Sequence, residues 1–323
     1  MSSEPLEHNP WNLNDSSLKD LPFVSVIIPV LNDVDRLEIC LNALDQQTYP
    51  GDRYEVIVVD NGSTESPESL VNKFTQAAFT YESQPGSYAA RNQGLSVAKG
   101  EIIAFTDSDC IPVQNWLETG VKHLLSTPNC GLVAGQITMF FRNSNVPTAV
   151  ELYDSITYFQ QKKYVEEFKC GATANLFTFK TVFETVGSFN SKLMSGGDLE
   201  WGQRVFSRGY SIVYADDSCV AHPARHSLAQ LYQKTVRVSR GHYQLDNDKN
   251  DSNKYLFTEL LSDLSCIRPP LRSTFRKVML EKQLKNRQQK IQVFFMMVLV
   301  HYIKFLEKKR GQFLQIINSF GGE

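Results

Sequence analysis

Two carboxylates stand two residues apart in the segment TDSDC at 106–110, directly after the apolar run EIIAF at 101–105. In an extended segment Asp107 and Asp109 would point the same way, and hard oxygen ligands of this kind suit Mg²⁺ or Mn²⁺ carrying a diphosphate. The alternative is a helix cap with a solvated turn. The position directly after a buried strand favours the metal interpretation.

A second acidic pair, Asp198 and Glu200, lies in SGGDLEW at 195–201, before a predicted helix that runs to Arg208. A carboxylate held there could take a proton from an attacking hydroxyl group, which is general-base catalysis. Acidic residues near a helix start are also favoured by the helix dipole alone. The residue types leave both interpretations open.

One histidine and several arginines complete the polar candidates. His222, in VAHPARH at 220–226, could bind a metal through its neutral imidazole, although a single histidine is more often a packed or surface residue. Arg91, Arg225, Arg237 and Arg240 could hold phosphate bidentately or could simply be solvated.

The elements that must position these residues alternate between strands and helices. The β-branched or apolar runs at 23–31, 54–59 and 101–105 predict strands buried on both faces, and a short strand is predicted at 79–81. Helices are predicted at 37–44, 68–79 and 88–98 between them. Later predictions are a strand at 131–141, a helix at 150–163 and a strand at 210–215. The pattern predicts an α/β fold with a mostly parallel sheet flanked by helices.

Polar residues follow three of these strands: Asn32 and Asp33, then Asp60 and Asn61, then Asp107 and Asp109. Ligands of open α/β sheets bind in the crevice beyond the carboxyl ends of the strands. Turn chemistry explains any one such cluster, but three at one sheet edge predict a binding site.

Composition excludes several classes of protein. The chain has 323 residues, 42% of them hydrophobic and 21% charged, which is ordinary globular usage and not that of a disordered chain. The formal net charge of -2 gives no global attraction to nucleic acid. The six cysteines include no C-x-x-C pair, and the polar N-terminus lacks a secretory signal pattern, so a cytoplasmic protein is expected.

Taken together, these features resemble the family 2 glycosyltransferases, which have the Rossmann-like GT-A fold. The matching segments occur in order over about residues 23–245: FVSVIIPVLND, EVIVVDNGS, ARNQG, KGEIIAFTDSD, GGDLEW and VAHP. The resemblance implies a divalent cation, Mn²⁺ or Mg²⁺, and a nucleotide-sugar donor, with UDP favoured only by its frequency in the family. It also implies a glycan or lipid-linked acceptor in polysaccharide or cell-surface glycan synthesis, and no nucleic acid partner. The implied nucleotide-sugar residues are Pro29, Asn32, Asp33, Asp60, Arg91, Asp107 and Ser108.

The resemblance further implies Asp109 as a metal ligand, His222 as a further ligand and Asp198 as the base of a single inverting displacement. Two departures bear on this. Gly197 stands where the family commonly has an acidic residue, so Glu200 is a second candidate for catalysis or for orienting the acceptor. The Q-x-x-R-W motif of processive synthases is missing, which points to addition of single sugars.

Three alternatives are weighed against this interpretation. A sugar-nucleotide pyrophosphorylase should show a Gly-rich loop after the first strand, and a haloacid-dehalogenase phosphatase should carry its D-x-D on that strand; this chain does neither. The third alternative is a catalytically inactive GT-A relative that only binds nucleotide. The retained Asp107, Asp109, Asp198 and His222 disfavour it.

Three segments are predicted: a lead at 1–21, a GT-A catalytic domain at 22–245 and a helical basic appendage at 246–323. From 268 to 310 there are 12 lysines and arginines against Glu281 and Glu307. The apolar run 291–303 falls short of the ~20 residues of a spanning helix. This tail either docks on an anionic membrane surface, at the inner face of the cell membrane, or packs on the catalytic domain with a solvated basic face.

Overall fold

The computed structural model describes residues 21–249 and 269–320. These residues form two compact units. Unit 1 comprises residues up to 139, 159–192 and 197–223, and unit 2 comprises 140–158, 193–196 and the chain from 224 onward. The predicted lead at 1–21 falls almost wholly outside the described residues, and the predicted domain boundaries stay a prediction.

The first half of unit 1 is a parallel sheet with helices between its strands. β1 (Val24–Val30), β2 (Tyr54–Asp60), β3 (Ala77–Tyr81) and β4 (Ile102–Thr106) pair in parallel, in the order β3-β2-β1-β4. The connecting helices are α1 (Val34–Asp45), α2 (Glu68–Val71) and α3 (Ser87–Val97), with a 3-10 turn at Gly51–Arg53. All five residues of β4 are buried, as its unbroken apolar sequence predicted.

The second half of unit 1 extends the same eight-stranded sheet with β5 (Ile111–Pro112), β6 (Cys130–Phe140), β7 (Asn175–Phe179) and β8 (Ser211–Pro223). The order continues β4-β7-β6-β8-β5, and β7 runs antiparallel to both β4 and β6. The helices here are α4 (Trp116–Ser126), α6 (Gln161–Lys163), α7 (Lys180–Val186) and α8 (Gly197–Ser207), with a π-helix at Tyr164–Phe168. The α/β class with a helix-flanked sheet is confirmed, and the parallel pairing is concentrated in its first half.

Three element predictions differ from the structure. The helix predicted at 68–79 ends at Val71, because the chain must return to pair β3 with β2 from Ala77 onward. The helix predicted at 150–163 breaks at Phe159, whose φ of 54° is left-handed and incompatible with a continuing right-handed helix. The strand predicted at 210–215 continues to Pro223, so His222 lies on a strand.

β7 was not predicted, and one of its residues ties the second half of the sheet together. Asn175 is fully buried and accepts a hydrogen bond from Trp116 Nε1 at 2.9 Å. Its amide Nδ2 donates to the backbone oxygens of Gln136 at 2.8 Å and Ser218 at 2.9 Å. One side chain therefore joins α4, β6 and β8, and Asn175 itself pairs with Thr106, the residue before Asp107.

Unit 2 is helical in its described part. It contains α5 (Ala149–Thr157), α9 (Leu228–Lys249), α10 (Leu271–Leu280) and α11 (Arg287–Phe320). Thr148 and Glu151 form a capping box at the start of α5, each side chain bonding the other residue's backbone N–H. By length and composition the segment Arg287–Leu314 of α11 could cross a membrane, a test that a core helix of a soluble protein also passes. The helix thus extends beyond the apolar run 291–303 at both ends.

Two of the candidate phosphate-binding arginines are held in ion pairs of unit 2. Arg225 Nη1 lies 3.2 Å from Asp154 Oδ2, and the fully buried Asp154 also accepts the Arg225 backbone N–H at 3.0 Å. Lys234 Nζ lies 3.7 Å from Asp154 Oδ1, and burial lowers the pKa of Lys234 well below its usual range. Arg240 Nε lies 3.0 Å from Glu307 Oε2. Arg225 and Arg240 therefore have structural partners.

The role of Asn175 is testable by truncation. Asn175→Ala removes a partner from one buried donor and two buried acceptors, so we expect the free energy of unfolding to fall by about 3 kcal/mol. Urea titration followed by circular dichroism measures it. Asn42→Ala, which removes an exposed bond to Glu38 O, is the matched control and is expected to stay within ~0.5 kcal/mol of wild type. Equal losses in both variants would contradict the role.

Candidate active site

The Asp107–Asp109 segment forms a tight turn at the end of β4, in which the Cys110 N–H donates to the Asp107 carbonyl at 3.1 Å. The sequence predicts an extended segment with both carboxylates pointing the same way. In the turn they have different partners instead. Asp107 Oδ1 lies 2.5 Å from Arg91 Nη2, whereas Asp109 lies between Arg36 and His222.

Arg36 links the loops after β1 and β4. Its Nε lies 2.6 Å from Asp33 Oδ1, and its Nη1 lies 3.4 Å from Asp109 Oδ2. Ser108 Oγ donates to the other oxygen of Asp33 at 3.1 Å. The predicted residues Asp33, Ser108 and Asp109 thus form one hydrogen-bonded group around an arginine that the sequence argument missed. Its signal was the i, i+3 spacing from Asp33 at the start of α1.

A cluster of possible metal-ligand atoms lies at the end of β8. Atoms of Asp109, Cys110 and His222 fall within 4.8 Å of one another. His222 Nε2 is 3.4 Å from Asp109 Oδ1, while His222 Nδ1 is 2.8 Å from the Pro223 carbonyl oxygen. A carbonyl oxygen only accepts, so Nδ1 carries a hydrogen and Nε2 is the ring atom that faces Asp109, which is the arrangement of metal-binding histidines.

The three side chains differ in their fitness as ligands. Burial raises the pKa of the Asp109 carboxyl, and the nearby His222 and Arg36 partly offset this rise; a cation beside Asp109 would likewise favour the ionised carboxylate. Burial also raises the pKa of the Cys110 thiol well above its usual range, and the thiol is directed at the Ala174 carbonyl oxygen. Asp109 and His222 fit a Mn²⁺ or Mg²⁺ ion, which favours oxygen and imidazole ligands, whereas the protonated Cys110 does not.

Asp198 lies in the first turn of α8 and is held by a tyrosine. Tyr88 OH donates to Asp198 Oδ1 at 3.0 Å, and the Leu199 N–H donates to the same oxygen at 3.0 Å. Burial raises the pKa of the Tyr88 hydroxyl, so that it remains a donor. In the described part of the chain, no residue hydrogen-bonds to Oδ2, and this oxygen is left to accept a proton.

Tyr88 also connects Asp198 with the D-x-D turn. Tyr88 and Arg91 lie one helical turn apart on α3, and the guanidinium carbon of Arg91 is 5.7 Å from the centre of the Tyr88 ring. Arg91 is 4% exposed and in turn holds Asp107, so contacts run from Asp198 through Tyr88 and Arg91 to Asp107. Tyr88 is not among the residues predicted from the sequence, and the one local signal for it is its i, i+3 spacing from Arg91 within GSYAARNQG.

Glu200, the other predicted catalytic residue, is engaged in an ion pair. Its two oxygens lie 2.6 Å and 3.0 Å from Arg204 Nε and Nη2. Arg204 also donates to the backbone oxygens of Val186 at 2.6 Å and Ser188 at 2.7 Å. This network fixes α8 to the end of α7, so the geometry gives Glu200 a structural partner and leaves Asp198 the less committed carboxylate.

The remaining predicted residues line the ends of β1 and β2. Asp60 is buried at the end of β2, opposite Val30, and its Oδ1 accepts the Ser63 N–H at 3.0 Å. Pro29 is half-buried within β1. Asn32 adopts a left-handed φ of 52°, and its Oδ1 accepts both the N–H and the hydroxyl of Thr64 at 2.8 Å. The loops after the two strands are thus joined at the edge that carries Asp33.

Comparison with known proteins identifies the family of this chain. The family model described as glycosyl transferase family 2 matches residues 25–187. Glycosyltransferase AglE of Haloferax volcanii is 43% identical over 230 residues, covering 70% of this chain and 74% of that protein. A dolichyl N-acetyl-alpha-D-glucosaminyl phosphate 3-beta-D-2,3-diacetamido-2,3-dideoxy-beta-D-glucuronosyltransferase of Methanococcus voltae is 21% identical over 228 residues, covering 66% of this chain and 71% of that protein.

The fold has a solved counterpart. The mannosyltransferase PcManGT of Pyrobaculum calidifontis, solved in complex with GDP-Man and Mn²⁺, superposes with a TM-score of 0.61 and 18% sequence identity. The match covers 93% of this chain and 90% of the other. Its likeness confirms the GT-A fold, while the family match and the AglE relative carry the enzyme class. The chain belongs to glycosyl transferase family 2 and is a glycosyltransferase.

Proposed function

We propose that this glycosyltransferase moves a single sugar, with inversion, from a nucleotide-sugar to a glycan or lipid-linked acceptor in polysaccharide or cell-surface glycan synthesis. The observation that supports the proposal is the run of contacts Asp198–Tyr88–Arg91–Asp107, which connects the carboxylate that we assign as general base to the D-x-D turn. A binding module has no need of a carboxylate oriented through one oxygen with the other left for a proton.

The reaction we propose is one in-line displacement. The acceptor hydroxyl attacks the anomeric carbon, the bond from that carbon to the donor phosphate breaks, and Asp198 Oδ2 takes the hydroxyl proton. Tyr88 and the Leu199 N–H hold Oδ1 and so fix the direction of Oδ2. Because attack and departure occur in one step, no enzyme nucleophile is required.

The donor half of the site is built from the loops after β1, β2 and β4. We assign Asn32 and Asp33 to the nucleotide, with Pro29 beside them and Asp60 toward the base or ribose. We assign Asp107 and Ser108 to the sugar, and we place Arg91 beside the diphosphate, where its buried Nε lacks a hydrogen-bond partner in the described residues. Asp109 and His222 would hold Mn²⁺ or Mg²⁺, which supplies positive charge to the departing diphosphate when bound.

The substrates are proposed from the relatives. A UDP-sugar is the proposed donor, and GDP-mannose is the competing candidate because the solved counterpart was determined with GDP-Man. The name of the Methanococcus voltae relative describes transfer to a dolichyl phosphate sugar, which supports a lipid-linked acceptor here. We expect the enzyme to work in the cytoplasm, where nucleotide-sugars are available.

Donor-selective hydrolysis is the direct test of the activity. We expect slow release of free nucleotide from one member of a panel of UDP-glucose, UDP-N-acetylglucosamine, UDP-glucuronic acid and GDP-mannose, measured by chromatography with Mn²⁺ and again with EDTA. Release that is selective for one donor and lost with EDTA supports the proposal. Binding of nucleotide by calorimetry, without release and without transfer to membrane-lipid extracts, would favour the inactive module instead.

Removing a proposed metal ligand should abolish this release. Asp109→Asn and His222→Gln are each expected to lower the rate at least about a hundredfold. The reason is that the bound cation lowers the free energy of the transition state by several kcal/mol, because it offsets the charge that develops on the diphosphate. The Mn²⁺ concentration for half-maximal rate should rise in the same variants. The control is His123→Gln, which alters a histidine of α4 that pairs with Asp217 of β8. This variant should keep the wild-type rate and the wild-type Mn²⁺ dependence. Unchanged Mn²⁺ dependence in Asp109→Asn would contradict the assignment.

The two carboxylates of α8 should separate in function. Asp198→Asn is expected to reduce transfer to the acceptor by a factor of about 10²–10⁴ with little change in nucleotide-sugar affinity, since it removes only the proton acceptor. Glu200→Gln should instead lower the melting temperature and largely retain kcat, because it weakens the link through Arg204. Both are measured by steady-state kinetics and thermal unfolding. A kcat lost in Glu200→Gln at full stability would reverse the two roles.

A further inference from the structure

Helix α11 is apolar on two opposite faces. One face packs within unit 2, where Met296 and Val300 join Val150, Tyr153 and Leu231, and Val293 joins a second apolar cluster. The other face is formed by Ile291, Phe295, Leu299, Tyr302, Leu306 and Phe313, each between 40% and 64% exposed. These residues recur at helical spacing, so they form one continuous stripe.

The stripe is large for a surface in contact with water. From Ile291 to Leu306 it runs about 22 Å at a rise of 1.5 Å per residue. Helix α10 adds Leu271, Phe275 and Leu280 as further exposed apolar side chains, and the Phe275 ring lies 6.0 Å from Phe294 of α11. Contiguous apolar surface of this kind on a soluble domain marks an interaction site.

The charges beside the stripe indicate what covers it. Exposed basic side chains occupy α10 and the turn after it, at Arg272, Arg276, Lys277, Lys282, Lys285 and Arg287, with Glu281 the one acidic residue from Leu271 to Arg287. Beyond Leu306 follow Lys308, Lys309 and Arg310. An anionic bilayer surface has two layers that match this arrangement. Its acyl chains would contact the apolar stripe, and its headgroups would contact the cations.

The packing of α11 favours lying on the bilayer over crossing it. α11 is packed along α5 and α9, and α9 carries the exposed Arg237 and Arg240. A spanning α11 in this packing would bring those cations toward the hydrocarbon core, at a cost of several kcal/mol each. A helix lying in the interface exposes only its outer stripe to lipid.

We propose that the α11 stripe and the basic residues of 272–287 form a docking surface for the headgroup and acyl boundary of an anionic lipid bilayer. The proposal goes beyond the glycosyltransferase activity and does not depend on it. It replaces the broad span 268–310 of the sequence prediction with named apolar residues that insert and named cations that contact headgroups. The competing occupant of the stripe is a second copy of this chain.

Vesicle co-sedimentation of the full chain tests the surface. We expect binding to phosphatidylcholine vesicles that contain phosphatidylglycerol and much weaker binding to phosphatidylcholine alone. Phe295→Glu and Leu306→Glu should each weaken the binding at least about tenfold, because insertion of an apolar side chain is lost. Arg272→Gln and Arg276→Gln should each weaken it about fivefold and reduce its salt dependence.

The matched control is Ile39→Glu, which places the same charge at a half-exposed apolar position of α1 in unit 1 and should bind vesicles like wild type. Thermal melts confirm that each variant is folded, and the nucleotide-release assay should give wild-type rates for all of them. Release of bound protein from vesicles by alkaline carbonate supports docking, and retention after carbonate overturns it in favour of a spanning helix. Absence of vesicle binding, or a dimer in light scattering that Phe295→Glu dissociates, overturns it as well.

Discussion

The carboxyl edge of the parallel strands gathers negative charge, and the rest of unit 1 is arranged around that constraint. Parallel pairing of β1, β2 and β4 places Asp33, Asp60, Asp107 and Asp109 at the same end of the sheet. Carboxylates held this close repel one another, and partial burial makes the repulsion stronger. Arg36 and Arg91 contact three of them, Asp33, Asp107 and Asp109, so two cations face three anions. The remaining negative charge beside His222 is what a divalent cation would neutralise.

Helix α3 links this arrangement to Asp198. Tyr88 and Arg91 lie on one face of the helix, and each bonds a carboxylate from a different part of the chain, Asp198 and Asp107. Burying an arginine is costly, and the bond to Asp107 offsets part of that cost. A shift of α3 would therefore disturb Asp198 and the D-x-D turn together.

The sequence predicted this edge well because its signals are local. Apolar runs that end in polar residues define β1, β2 and β4, and their parallel pairing follows from the intervening helices. The sequence is a weaker guide to elements and side chains whose positions depend on contacts between residues far apart in the chain. β7 begins with Asn175, whose polar side chain looks like a loop residue until its partners on α4, β6 and β8 are known. The ion pair of Glu200 with Arg204 also depends on tertiary contacts. The carbonyl oxygens of Val186 and Ser188 accept hydrogen bonds from Arg204 and so hold it beside Glu200. The left-handed break at Phe159 left no local signal in the apolar spacing that predicted a helix there.

The two units differ in the chemistry that their surfaces favour. Unit 1 gathers carboxylates, arginines and a histidine at one edge of its sheet, and these are the residues proposed above to bind a charged nucleotide-sugar. Unit 2 instead buries Asp154 beside Arg225 and Lys234, and it exposes the apolar α11 stripe and the basic side chains of 272–287. An apolar stripe exposed to water is unfavourable in proportion to its area, and a basic surface alone does not relieve that cost. Contact with an anionic bilayer would remove the cost of the exposed apolar area, because acyl chains would cover the stripe. The headgroups would at the same time neutralise the cations. The lipid-linked acceptor proposed above would reach the enzyme from the same bilayer, which makes access to the acceptor the simplest explanation for such a surface.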